Sequence, residues 1–62
     1  MWVYAIVVCL YAPDCLPSER VTYRSPEAYA SLGECFTASG AAQAALEAVG
    51  KIVIENGCGL KP

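Results

Sequence analysis

Residues 2–11 are apolar on both of their alternating sets, Trp2, Tyr4, Ile6, Val8 and Leu10 on one and Val3, Ala5, Val7, Cys9 and Tyr11 on the other. Side chains alternate across a strand, so a half-solvated strand is apolar on one set only. A run apolar on both belongs in the middle of a sheet with cover on each face. β-branched and aromatic residues dominate it, and the Ala12-Pro13-Asp14 turn signal ends it. It falls short of the ~20 apolar residues that a membrane-crossing helix needs, and the first cation is Arg20, so nothing basic precedes it as in a secretion signal. The expectation is a retained, buried central strand and no membrane span.

The rest of the chain supplies the neighbours. Residues 12–18 hold two prolines and Cys15 and read as a loop. From Arg20 to Arg24 the pattern alternates, Val21 and Tyr23 on one side and Arg20, Thr22 and Arg24 on the other, as in a half-exposed edge strand. Ser25-Pro26-Glu27 has the form of a helix start: a serine cap, a proline where its missing N–H costs nothing, and an acid in the first turn. The pattern predicts a helix from Pro26 to Val49, with Gly50 as left-handed terminator and Lys51 near the negative end of the dipole. Ile52 and Ile54, alternating with Lys51, Val53 and Glu55, predict a third strand that Asn56-Gly57 ends. With the most apolar strand in the middle, the fold expected is a single α+β domain spanning residues 1–62. Its order is ββαβ, its antiparallel sheet runs 2-1-3, and the helix crosses right-handed over one face.

The helix has two contrasting sides. Ala28, Leu32, Cys35, Phe36, Ser39, Ala42, Leu46 and Val49 share one and should meet the sheet. The other carries Ala30, Gly33, Thr37, Gly40, Ala41, Ala44 and Ala48, and the strongly polar residues of the whole helix are Glu27, Glu34, Gln43 and Glu47. An interior glycine costs about 1 kcal/mol relative to alanine, and small residues three and four apart let another backbone come close. The bland alternative is an alanine-rich helix left in water. The sheet raises the same question, because one helix covers one face and leaves Val3, Ala5, Val7 and Tyr11 on the other. An exposed apolar patch of this kind marks an interaction surface unless the proline-rich loop or a terminus folds over it.

Four cysteines, Cys9, Cys15, Cys35 and Cys58, stand in a chain of 62 residues. A domain this short buries only ~60% of its unfolded surface and is marginal without staples. Three pairings are possible. Cys9 and Cys15 flank one turn. Cys35 lies ~15 Å up the predicted helix, and the third strand, descending ~23 Å from the top of a ~36 Å helix, brings Cys58 to a similar height. Disulfides Cys9–Cys15 and Cys35–Cys58 are therefore expected, an arrangement that persists in an oxidising compartment or on a particle surface. Reduced thiols buried as small hydrophobes are the alternative.

Chemistry has little to work with. There is no histidine, which removes the commonest general base and metal ligand. The cysteine spacings of five, nineteen and twenty-two intervening residues lack the close pairs of zinc sites, and there is no C-x-x-C. The serines have no histidine partner, the acids are scattered and no phosphate-cradling loop is present. A net charge of −2 with pI about 4.7 argues against nucleic acid. No enzyme, metal or cofactor is expected.

An apolar first strand ending in Cys9, a short Pro-Asp-Cys15 loop, a capped helix with Cys35 in its first half and a last strand closing at Cys58 resembles small four-cysteine proteins of unassigned function from alphaproteobacteria and their bacteriophages. The resemblance implies no activity and carries over no functional residue; it points to a phage-related or accessory role. The expectation is thus a structural or accessory subunit that meets a protein partner or further copies of itself through Val3, Ala5, Val7, Tyr11, Ala30, Gly33, Thr37, Gly40, Ala41 and Ala44. Its rivals are a free secreted or periplasmic binding module or inhibitor using the Asp14–Ser18 loop, and a small redox-active thiol protein.

Overall fold

The computed structural model describes residues 1–10 and 15–61. Strand β1 (Trp2–Cys9) is central, β2 (Arg20–Arg24) and β3 (Ile52–Leu60) flank it antiparallel in the order 2-1-3, and helix α1 (Leu32–Ala48) packs on one face. A single 3₁₀ turn at Pro17–Glu19 leads into β2. The expected ββαβ architecture is present, with its two disulfides, Cys9–Cys15 and Cys35–Cys58.

Register decides which side chains meet the helix. Cys9 pairs with Arg20 and Val8 with Val21, so Val21 and Tyr23 share the helix side with Tyr4, Ile6 and Val8, while Arg20, Thr22 and Arg24 share the open side with Val3, Ala5 and Val7. On β3 the phase changes once. Val7 pairs with Glu55 but Val8 with Val53, leaving Ile54 as the extra residue of a bulge. Val53 and Cys58 are five positions apart and would face opposite ways on a regular strand. The bulge lets both face the helix, so the disulfide and the Val53 contact coexist.

The core is small and lies on that side. Ile6, Val8 and Cys35 are fully buried and Tyr4 nearly so, with Trp2, Val21, Tyr29, Ala38, Ala42, Leu46, Val53 and Cys58 packed around them. Cys35–Cys58 runs through this cluster with its Cα atoms 6.3 Å apart and ties the helix to β3. Cys9–Cys15 instead pins the far end of β1 to the segment entering β2.

Three expectations about boundaries need correction. The helix starts at Leu32 with Ser31 as its cap, the Ser31 hydroxyl accepting from the Glu34 N–H, and not at Pro26 behind Ser25. Strand β2 reaches only as far as Ala5 of β1, so the edge groups of Trp2 and Tyr4 need other partners. Ser25 N–H donates to the Tyr4 carbonyl, Ser25 Oγ accepts from the Tyr4 N–H, and Tyr29 exchanges both backbone bonds with Trp2. Residues that could open a helix are drawn along the sheet edge instead.

Strand β3 also does not stop at Asn56-Gly57. It runs through them to Leu60, opposite Trp2, because the other edge of β1 needs pairing along its whole length. The first strand in turn ends at Cys9 and not at residue 11, with Leu10 in an exposed bend. The terminator behaves as expected. Gly50 has φ 85°, Gly50 N–H donates to Glu47 O and Lys51 N–H to Leu46 O, the paired bonds of a Schellman close.

Candidate interaction surfaces

The side of the helix facing the sheet is set by its ties to β3. Cys35 is bonded to Cys58, and Asn56 Nδ2 donates to the Ser39 carbonyl at 3.3 Å and to Gln43 Oε1 at 2.7 Å. Cys35, Ser39, Ala42 and Leu46 therefore point inward, as expected, and Ala38 joins them. Leu32, Phe36 and Val49 do not: they are 37%, 54% and 72% exposed, and Ala28 precedes the helix. Apolar character is spread so evenly around this helix that hydrophobicity alone does not choose its inward face. The covalent and amide links choose it.

On the outward face Gly33, Thr37, Gly40, Ala41 and Ala44 are all exposed. Thr37 Oγ1 donates back to the Gly33 carbonyl at 3.0 Å, so its hydroxyl is satisfied within the helix and its methyl is what remains. A Cβ added at Gly33 or Gly40 would meet nothing within 4 Å, so no contact inside the chain demands glycine at either position. Phe36 stands between the two, three residues after Gly33 and four before Gly40, an exposed aromatic bordered by bare backbone. Ala30 falls before the cap and is exposed, but it is not part of the helix face.

The open side of the sheet is the second surface. Val3, Ala5 and Val7 run down its centre, half-buried, with no element of the described residues packed over them. Tyr11 lies outside the described residues. Beside them β3 contributes Ile52, Ile54 and Glu55, then Gly59 and Gly57 opposite Val3 and Ala5. The glycines leave a shallow trough along the β1–β3 seam, whose upper end Ala5, Val7, Ile54 and Glu55 line. Ile52 and Ile54, 43% and 40% exposed, belong to this surface and not to the core, because the bulge reverses the phase of the expected strand.

Around these surfaces several polar groups are used structurally. Arg20 Nη2 donates to the Cys15 carbonyl at 3.3 Å, and Ser39, the buried polar residue among the described ones, donates to the Phe36 carbonyl. Tyr29 stacks on Tyr4 with ring centroids 6.4 Å apart. Its phenol titrates above the ordinary value of 10.0, first because the neighbourhood is poorly solvated and then because Tyr4 and Glu27 oppose a further negative charge. Among the described residues no group of three or more acids, cysteines or histidines is placed to hold a metal ion. No described helix is long and apolar enough to cross a membrane. Comparison with known protein families, curated proteins and solved structures finds no match for this chain.

Proposed function

We propose that this protein is a non-enzymatic structural or accessory subunit that docks onto a larger multi-protein assembly through its open sheet face and its small-residue helix face. The observation that carries the reading is the strip Val3, Ala5 and Val7, an apolar line down the centre of a sheet whose other face holds the buried cluster of the described residues. An apolar line left only partly covered, and continued by the exposed Ile52 and Ile54 of β3, is characteristic of contact sites. The unexplained helix glycines support it, since each costs about 1 kcal/mol of helix stability with no internal return. A virion or another multi-subunit particle is the host to which the four-cysteine resemblance points, and an oxidising environment or particle surface is where such disulfides persist.

The test is Gly40→Leu. Open space at that Cβ lets leucine enter without a clash, so circular dichroism should show the fold intact and melting should be no lower than for the unaltered chain, while co-migration with the native assembly in cell extracts is lost. Normal incorporation of Gly40→Leu would remove the helix face from the docking surface.

A second reading, a free binding module or inhibitor, rests on Leu16, which is 56% exposed directly after the disulfide-anchored Cys15. Leu16→Ala separates the two: it should abolish target binding by an inhibitor and leave incorporation into an assembly intact.

A further inference from the structure

We infer that the chain stacks on itself head to tail, the helix face of one copy seated on the open sheet face of the next; the inference rests on the docking reading above and names the partner as a second copy. Charge is the first argument. Helix α1 contains Glu34 and Glu47 and no cation, whereas β2 presents Arg20 and Arg24 on the open side of the sheet. Among the described residues the acid on that side is Glu55, on β3, two strand spacings or ~10 Å across the sheet from the strand that carries the arginines. Among the described residues Arg24, Glu34 and Glu47 form no ion pair within the chain. One broad face is thus edged with positive charge and the opposite one with negative charge, which favours unlike faces meeting and disfavours either face meeting itself.

Shape and size agree. The molecule is a slab of 36 × 24 × 15 Å, so each broad face has an outline of about 860 Å², and a contact that uses most of one face is of the size class of the ~800 Å² buried per partner in stable interfaces. The trough at Gly57 and Gly59 lacks side chains where the helix face offers Phe36 as a ridge. Each monomer already packs a helix on one side of this sheet, and stacking repeats that packing on the other. Because the two faces differ, the contact is heterologous and leaves a free face of each kind at the ends, so growth continues past the dimer unless a ring closes.

The experiment is sedimentation of the full chain with disulfides intact, over micromolar to millimolar concentration, for three proteins: the unaltered chain, a sheet variant (Arg20→Glu with Arg24→Glu) and a helix variant (Glu34→Arg with Glu47→Arg). All four positions are exposed, and circular dichroism checks that both variants fold. The unaltered chain should grow beyond a dimer and weaken with added salt. Each variant alone should associate at least tenfold more weakly, and an equimolar mixture of the two should regain assembly, because acidic helices then meet basic sheets and the reverse. An unaltered chain that stays monomeric throughout, or one that stops at a dimer sensitive to only one of the variants, overturns the proposal. The salt dependence of the unaltered chain keeps the test open should a variant fail to fold: salt-insensitive association contradicts it. A monomeric chain that still loses incorporation as Gly40→Leu removes stacking and leaves docking to a different partner standing.

Discussion

The two faces of β1 carry nearly the same side chains and come to opposite ends. Tyr4, Ile6 and Val8 are buried under the helix, Ile6 and Val8 completely, while Val3, Ala5 and Val7, one residue out of step on the same backbone, stay half-covered by their own sheet neighbours. Composition does not separate them; what lies above them does. A helix of 17 residues has one face's worth of cover to give, and the Cys35–Cys58 bond together with Asn56 fixes which side of the sheet receives it. An apolar strand is therefore evidence of two covers, and the described residues provide one.

That contrast can be broken most severely at Ile6. Ile6→Ala should cost about 2–5 kcal/mol, the range for truncating a fully buried aliphatic side chain, whereas Val7→Ala should cost less than about 1 kcal/mol. Urea midpoints for the two variants, taken side by side, check it. Next in size is the link that selects the covered face. Cys35→Ala with Cys58→Ala opens the 23-residue separation and should cost about 3 kcal/mol by loop entropy, against about 2 kcal/mol for Cys9→Ala with Cys15→Ala at a separation of 6. Equal losses in thermal melts would mean that the long bridge does not hold helix to sheet. Ser31→Ala should cost about 1 kcal/mol and Ser25→Ala should leave helix content unchanged, placing the cap by circular dichroism. Gly40→Ala sharpens the other surface: it should raise helix stability by up to about 1 kcal/mol, since nothing in the chain needs glycine there.

The smallest effect is alkaline. Tyr29 holds its proton more tightly folded than unfolded, so its contribution is complete below the ordinary tyrosine value of 10.0 and is lost as pH rises through the higher folded value. Tyr29→Phe should therefore flatten the fall in melting temperature above about pH 10.

Much of this was legible in the residues. The alternation of Val21 and Tyr23 against Arg20, Thr22 and Arg24 gives the correct faces of β2, and the apolar first strand gives the 2-1-3 order. The disulfide pairing follows from the heights of Cys35 and Cys58 even though the predicted helix began too early, because moving the helix start does not change the position of Cys35 relative to its end. The misses share a cause. Ser25-Pro26-Glu27 and Asn56-Gly57 are good local signals for a helix start and a turn, but the unpaired edges of β1 require strand partners on both sides, and that demand is visible only once the sheet is assembled. Periodicity alone puts Phe36 inward; the links that rotate it outward join residues far apart in the chain.

The most direct test is to read the methyl groups of β1 by NMR with a soluble paramagnetic relaxation agent, in the dilute chain and again at millimolar concentration. In the dilute chain the agent should broaden Val3 and Val7 and spare Ile6 and Val8; on concentration Val3 and Val7 should become as protected as Ile6. Val3 and Val7 already shielded at the lowest concentration would mean that the chain covers its own second face, and the account would be wrong.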